Sequence, residues 1–348
     1  MNLIRYSLPM FLLMLGLAAC TSKKAQTEPE TEYDKDLVEY CEFSHTVTID
    51  FGDDQTPVIS NPLEGNGLDV SVDGADVTLT STTTNDVEYV LTGTTSNGSV
   101  KLYSDKKYKL TLNGVDITSS GKPALNLQSS KRAFVVLAAG TSNTLSDSGE
   151  YETDGSLNAD GEDRKGAFFS EGQLVVSGTG SLTVNGNMKH ALATDEYLRM
   201  REGTLTLFSD NADGLHAKEY VWIEDGTLRS SAKSDGIQCT KGYIRIDGGT
   251  LEVDSRDDCV RATYGLDVTT DTDSTIVTDI TVTGGRITLI SSKEKDTAYG
   301  LYTTGKICLS GGDFDITLYQ RDNAVYGAKG VEEADGYALS GHLTYSRP

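Results

Sequence analysis

Three segments of this chain can be laid over one another without gaps: Glu196-Tyr197-Leu198-Arg199-Met200-Arg201-Glu202-Gly203-Thr204-Leu205, Glu219-Tyr220-Val221-Trp222-Ile223-Glu224-Asp225-Gly226-Thr227-Leu228 and Gly242-Tyr243-Ile244-Arg245-Ile246-Asp247-Gly248-Gly249-Thr250-Leu251. The spacing between equivalent glycines and tyrosines is 23 residues. A fixed period of that size is the mark of stacked repeats and outweighs any local propensity. Weaker copies occur upstream at Leu174-Val175-Val176 with Gly180-Ser181-Leu182, and downstream at Ile280-Thr281-Val282 with Gly285-Arg286-Ile287 and Ile307-Cys308-Leu309 with Gly312-Asp313-Phe314.

Each repeat carries three short runs that alternate apolar and polar, exemplified by Leu215-His216-Ala217, Val221-Trp222-Ile223 and Leu251-Glu252-Val253. Alternation at period two means strand, with the outer residues of each run inward and the middle one outward. Three strands per repeat, small residues between them and no helical periodicity describe an all-β parallel β-helix. Rungs ~4.8 Å apart make the stretch 124–316 a rod of about seven rungs and roughly 34 Å. Ile244 and Ile246 are expected inside, Thr206 outside, and Cys239 in an inward column with Ala217, Ala262 and Thr303. Acidic insertions at 147–165 and 269–279 leave the rod at corners. The alternating region 45–123 caps or begins the same solenoid, since a bare rod end exposes a strand edge.

Composition trims the list of functions. Thirty Lys and Arg against 52 Asp and Glu give a net charge of −22, which disfavours a nucleic-acid partner. The first residues read as export machinery: Arg5, an apolar run over 8–17 too short to span a bilayer, then Leu17-Ala18-Ala19-Cys20. A cysteine directly after small residues looks like a bacterial lipobox, so residues 1–19 are expected to be a lipoprotein signal peptide and Cys20 the lipidated residue. A polar tether over 20–44, a β-rich section over 45–123 and the parallel β-helix over 124–348 complete the expected organisation, with the protein expected to be lipid-anchored at the cell envelope, outer membrane or cell surface. The other cysteines, Cys41, Cys239, Cys259 and Cys308, follow no disulfide-scaffold spacing.

One corner repeats an acid: Asp213-Gly214, Asp235-Gly236 and Asp257-Asp258-Cys259. Asp213, Asp235 and Asp258 stack at rung spacing, where carboxylates repel unless a cation lies between them. Oxygen ligands at an irregular corner suit Ca²⁺ better than Zn²⁺, with Asp213, Asp235, Asp257 and Asp258 as candidate ligands. The competing reading is an Asp-Gly turn whose carboxylate bonds corner amides. The neighbouring outward column is His216, Gln238, Arg261 and then Tyr302, a mix suited to a polyhydroxylated ligand. Tyr197, Tyr220 and Tyr243 form a second column, with Trp222 outward beside it. It is either a sugar-stacking row or an aromatic ladder that only stabilises the rod. No catalytic constellation stands out. The one enzymatic alternative is β-elimination of uronates, with Ca²⁺ as the acidifying ion and Lys218, Lys241 or Arg261 as base. A third alternative is a surface adhesin or scaffold.

At Leu110-Thr111-Leu112-Asn113-Gly114-Val115-Asp116-Ile117-Thr118-Ser119, at Gly178-Thr179-Gly180-Ser181-Leu182-Thr183-Val184-Asn185-Gly186-Asn187 and in the Asp-Gly-[Leu/Ile] rungs, the chain resembles a known family. It is similar to the bacterial calcium-containing carbohydrate-binding β-helix proteins, described as cellulose- and pectin-binding and close in architecture to family 9 pectate lyases. The resemblance covers roughly residues 77–330. It implies a right-handed parallel β-helix, bound Ca²⁺ at the matching Asp-Gly corners, and affinity for plant-type polysaccharide without lyase turnover. Two departures stand out: Lys189-His190-Ala191 has no acid, and Asp258-Cys259 lacks the glycine.

Overall fold

The computed structural model describes residues 36–148, 150–151, 161–264, 275–291, 297–319 and 324–346. The signal peptide, Cys20 and the tether up to residue 35 lie outside them, as do parts of both insertions. The chain winds as a parallel β-solenoid of about ten turns of roughly 24 residues, with extra N-terminal strands. Each full turn supplies one strand to each of three sheets. In one turn these are Leu215–Ala217 in a short-strand sheet, Tyr220–Ile223 in a middle sheet and Thr227–Ala232 in a long-strand sheet. Among the described residues no helix is long and apolar enough to cross a membrane.

The period becomes register because identical rungs stack in parallel. Tyr197 pairs with Tyr220 and Tyr220 with Tyr243; Leu205, Leu228 and Leu251 align likewise. Ile244, Ile246 and Cys239 are fully buried, whereas Thr206 faces outward. Cys239 lies in register with Ala217 and Ala262, and Ala262 with Thr303. The Gly-Thr corner has a steric cause. Gly203, Gly226 and Gly249 have φ of +91°, +90° and +75°, and a Cβ at Gly226 or Gly249 falls within 2.6 Å of the carbonyl oxygen of the glycine one rung below. The turn therefore needs a residue without a side chain both for its dihedral and for its neighbour.

The 45–123 region begins the solenoid, so rungs extend below 124. His45–Asp53, Val87–Thr95 and Tyr108–Ser120 run parallel to one another. Tyr108–Ser120 bends at Asn113-Gly114 and joins two ladders, pairing first with Ala133–Leu137 and then with Ser142–Ser148. Buried Asn143 fixes the bend: its Oδ1 accepts the amides of Gly114 and Val115 at 2.8 and 3.0 Å, and its Nδ2 donates to the Ser181 carbonyl one rung on. Two antiparallel pairings, Leu68–Asp73 with Ala75–Ser81 and His45–Asp53 with Val58–Ser60, belong to this first end. Val325–Gly327, Val331–Glu333 and Leu343–Ser346 add the last turn at the other.

The expectation of a tether reaching residue 44 is corrected from Asp36 onward. Asp36, 1% exposed, receives the Tyr197 hydroxyl at 2.7 Å and ion pairs from Arg132 and Arg199 at 2.7 and 3.3 Å. Val38, Cys41 and Phe43 pack on the outside of the middle sheet over Phe134, Val175 and Tyr197, and Arg201 pairs with Glu39. The apolar residues of this stretch, few as they are, have a complementary surface to cover. Cys41, Cys239 and Cys259 are free thiols, and burial pushes the Cys239 thiol up to about 12.

Candidate functional site

Every rung enters its short strand through a corner whose backbone N–H needs an acceptor. The acidic column supplies it. Asp213 Oδ1 accepts the amide of Asp235, Asp235 Oδ1 that of Asp258, both at 3.0 Å, and Asp258 Oδ1 that of Tyr299 at 2.7 Å. One rung below, His190 Nδ1 accepts the Asp213 amide at 3.1 Å. His190 therefore holds the position where the sequence has no acid. An imidazole can do so only with a lone pair on Nδ1. The 23-residue step from His190 to Asp213 is the signal that would have found it.

The second carboxylate oxygen of each aspartate meets the outward residue three positions on. Asp213 Oδ2 lies 3.0 Å from His216 Nδ1, Asp235 Oδ2 accepts from Gln238 at 2.8 Å, and Asp258 Oδ2 from Arg261 at 2.7 Å. The outward column His216–Gln238–Arg261 is thus braced residue by residue by the acidic one. Bonding of the corner amides by a carboxylate, one of the two readings of the column, is present at Asp213, Asp235 and Asp258 alike.

The four candidate metal ligands do not form one group. Asp235, Asp257 and Asp258 bring carboxylate oxygens within 4.8 Å of one another, while Asp213 gathers with His190 and His216 in a second cluster of the same compactness. The two imidazoles lie 4.4 Å apart. Charge is settled differently in each. Burial works against the Asp213 carboxylate, yet the His216 hydrogen bond and the two imidazoles hold it below its usual range. Burial, against the pull of Asp213, brings His190 down to about 4. Asp235 is relieved only in part, by Arg261: burial and the charges of Asp213 and Asp258 push it up to about 8. Asp258 is raised too, by burial, against its bonds from Tyr299 and Arg261. Arg261 Nε stands 3.8 Å from Asp235 and is a buried donor without a hydrogen-bond partner. Three oxygen donors whose charge Arg261 offsets only in part fit a hard divalent cation such as Ca²⁺. The nitrogen-rich lower cluster fits it less well. Sequence reasoning did not find a third cluster, Asp163, Glu171 and Asp195, whose members Asp163 and Asp195 pair with Lys165.

Tyr220, Tyr243 and Trp222 lie on the middle sheet, around a corner from His216, Gln238 and Arg261 on the short-strand sheet. The structure does not bring the two sets together. Tyr197, Tyr220 and Tyr243 stack with centroids 4.3 and 5.0 Å apart, with Tyr197 under the N-terminal segment. Trp222 is nearly buried between the guanidinium groups of Arg199 and Arg245, 4.2 and 4.8 Å from its ring, and its Nε1 donates to Asp247. Both faces of the indole are occupied, which removes the geometry a stacking sugar requires. Lys218 and Lys241 are exposed beyond the opposite ends of their short strands, leaving Arg261 as the one proposed base beside the acids.

Comparison with known proteins agrees with this architecture. A solved structure titled as the polysaccharide lyase-like protein from C. thermocellum, a gadolinium derivative, superposes with a TM-score of 0.60 at 22% identity, covering 86% of this chain and 98% of that one. A carbohydrate-binding domain-containing protein of Acetivibrio thermocellus is 29% identical over 119 residues, 33% of this chain and 40% of that relative. The match thus spans well under half of the relative's length. The family model described as carbohydrate-binding domain-containing protein matches residues 73–341, nearly the whole described solenoid, and the chain belongs to that family.

Proposed function

We propose that this protein is a lipid-anchored polysaccharide-binding protein of the cell envelope, held at Cys20, that engages plant-type glycan such as cellulose or pectin along its short-strand sheet without turning it over. The observation that carries the reading is the braced outward column His216–Gln238–Arg261 set against the acidic corners, within a chain of carbohydrate-binding family. Imidazole, amide and guanidinium fixed in place offer donors to sugar hydroxyls at little entropic cost. Asp235, Asp257 and Asp258 are the residues that would hold Ca²⁺. The ion would supply positive charge able to bridge protein and uronate carboxylates. That bridge matters because a chain of net charge −22 repels an anionic polymer, most strongly at low salt.

The lyase alternative rests on Arg261, which sits beside the acids as a base must. Its guanidinium is engaged by Asp258 and Asp235, and those carboxylates raise its affinity for its proton further, against the effect of burial. That favours binding over proton abstraction. The test is a calcium titration followed by melting and by binding to polygalacturonate and cellulose, with unsaturated-uronide absorbance monitored in parallel. Chelator is expected to weaken acidic-glycan binding far more than neutral-glycan binding, and Asp235→Asn with Asp258→Asn to copy it. Absorbance that grows with time would install the lyase. No response to millimolar Ca²⁺ in melting or binding would leave the column as turn caps alone.

A further inference from the structure

His190 and His216 lean on one carboxylate with their ring protons on opposite nitrogens. One rung below His216 the outward position in register is Ala193, a single methyl group. The ring beside His216 is instead that of His190, which comes from the corner and lies 4.4 Å away between centroids. Both Nδ1 atoms turn inward, 3.3 and 3.0 Å from Asp213 Oδ2. His190 Nδ1 accepts the Asp213 amide, so the neutral ring carries its proton on Nε2. His216 Nδ1 meets a carboxylate held below its usual range, which can only accept. Nδ1 is therefore the protonated nitrogen of His216, and Nε2 keeps the lone pair. Neither Nε2 has a hydrogen-bond partner among the described residues, and neither is a buried orphan, so both Nε2 edges meet solvent.

We propose that the Nε2 edges of His190 and His216 form a hydroxyl-selective subsite of the glycan surface, seating one sugar hydroxyl between a fixed donor and a fixed acceptor. The inference rests on the binding function proposed above and adds to it His190 and a preference. A hydroxyl both donates and accepts. With hydrogen bonds of ~2.9 Å on either side, one oxygen bridges two nitrogens about a rung spacing apart. It accepts from His190 Nε2–H and donates to His216 Nε2. A carboxylate only accepts, so at the same point it sets its charge against the His216 lone pair. An ammonium only donates and meets the His190 proton. Each leaves one nitrogen unanswered, which is how a polar site rejects the wrong group. Asp213 holds both tautomers from behind, so the rings lose little freedom on binding. Uronate carboxylates are then left to the cation corner at Asp235, Asp257 and Asp258, and the imidazole corner reads neutral sugar units.

The chain has four histidines, so ¹⁵N-histidine labelling of the full chain can follow each ring. At pH 8 in chelator, His190 should show a bare Nδ1 and His216 a bare Nε2, the two rings being assigned with His190→Asn and His216→Asn. Added cellohexaose should shift both Nε2 signals. Asparagine keeps a polar atom where Nδ1 stood and has nothing where Nε2 stood, so the corner bonds survive and the outer nitrogen is lost. Each variant should melt with the wild type at this pH and bind cellohexaose about fivefold more weakly, the net contribution of one hydrogen bond. The loss toward polygalacturonate in Ca²⁺ should be smaller. Identical tautomers in the two rings, Nε2 signals that ignore bound cellohexaose, or variants that bind it as the wild type does overturn the subsite and leave the binding function standing. Cellohexaose binding that chelator abolishes marks a metal between the imidazoles and overturns the subsite too. A wild type that binds neither cellohexaose nor polygalacturonate with Ca²⁺ overturns the binding function itself, and the subsite with it.

Discussion

The lower and upper corners of the acidic column meet the same backbone requirement with opposite electrostatic outcomes. At His190, Asp213 and His216 one carboxylate lies between two imidazoles, and their contacts hold Asp213 below its usual range in spite of burial. At Asp235, Asp257 and Asp258 three carboxylates gather while one guanidinium serves Asp235 and Asp258, and Asp235 is pushed up to about 8. The amide at each corner is indifferent to this. It takes Oδ1 of an aspartate or Nδ1 of a histidine equally. What separates the two corners is therefore the second oxygen and its neighbours, three residues further along the chain.

That contrast can be tested in order of effect. The largest loss should come from the core on which both corners sit. Ile246→Asp places an unpaired charge at a fully buried position between rungs and should cost roughly 4 kcal/mol or more, while Thr206→Asp stays within about 0.5 kcal/mol. Equal losses in chemical denaturation would mean that the corners, and not the inward ladders, hold the rungs. Next come the corners themselves. Asp213→Asn removes the charge that both imidazoles face and should destabilise by about 1–3 kcal/mol. Asp235→Asn keeps an acceptor for the Asp258 amide and replaces a carboxyl whose ionisation burial and its neighbours oppose, so without calcium it should be neutral or stabilising. With Ca²⁺ at a hundredfold excess over its dissociation constant the wild type should gain about 2.7 kcal/mol. Asp213→Asn should keep that gain and Asp235→Asn lose it; the reverse pattern would move the cation to the histidine corner.

The smallest effect is the pH profile. His190 has a folded-state value lowered to about 4 from 6.5, so its contribution is complete above pH 6.5 and is lost as pH falls through about 4. Asp235 is raised from 3.8 to about 8, so its contribution is complete below pH 3.8 and is lost as pH rises through about 8. Melting curves from pH 4 to 9 in chelator should show both limbs. His190→Asn should flatten the acid one and Asp235→Asn the alkaline one. A profile left unchanged by both substitutions would remove the electrostatic distinction between the corners.

Much of this rod could be read from residues because parallel stacking turns sequence period directly into spatial register. Tyr197, Tyr220 and Tyr243 had to align, and Ile244 had to point inward, once one rung was placed. The aspartate column was legible for the same reason. Its division into two clusters was not, because that depends on how each side chain turns about its corner. His190 does not read as a member of the column because an imidazole fills there the role that a carboxylate has on the later rungs. Trp222 reads as an outward aromatic open to a sugar, yet Arg199 and Arg245 stand 23 residues on either side of it. An aromatic flanked by guanidinium groups at the repeat distance is stacked on by its own rod. The packed segment at Asp36 carries no period at all, so nothing in the repeat announced it.

That segment has a mechanical consequence. In a solenoid each turn touches only the turns beside it, so a rod peels from its ends. Asp36 grips Arg132 and Arg199, whose rungs are separated by the one containing Val175, and Phe43 meets Phe134 at 6.0 Å. A pull transmitted along the chain from before Asp36 would enter the rod on its flank, across several turns at once, and load them in shear. The unzipping of a terminal strand, one hydrogen bond after another, would be bypassed.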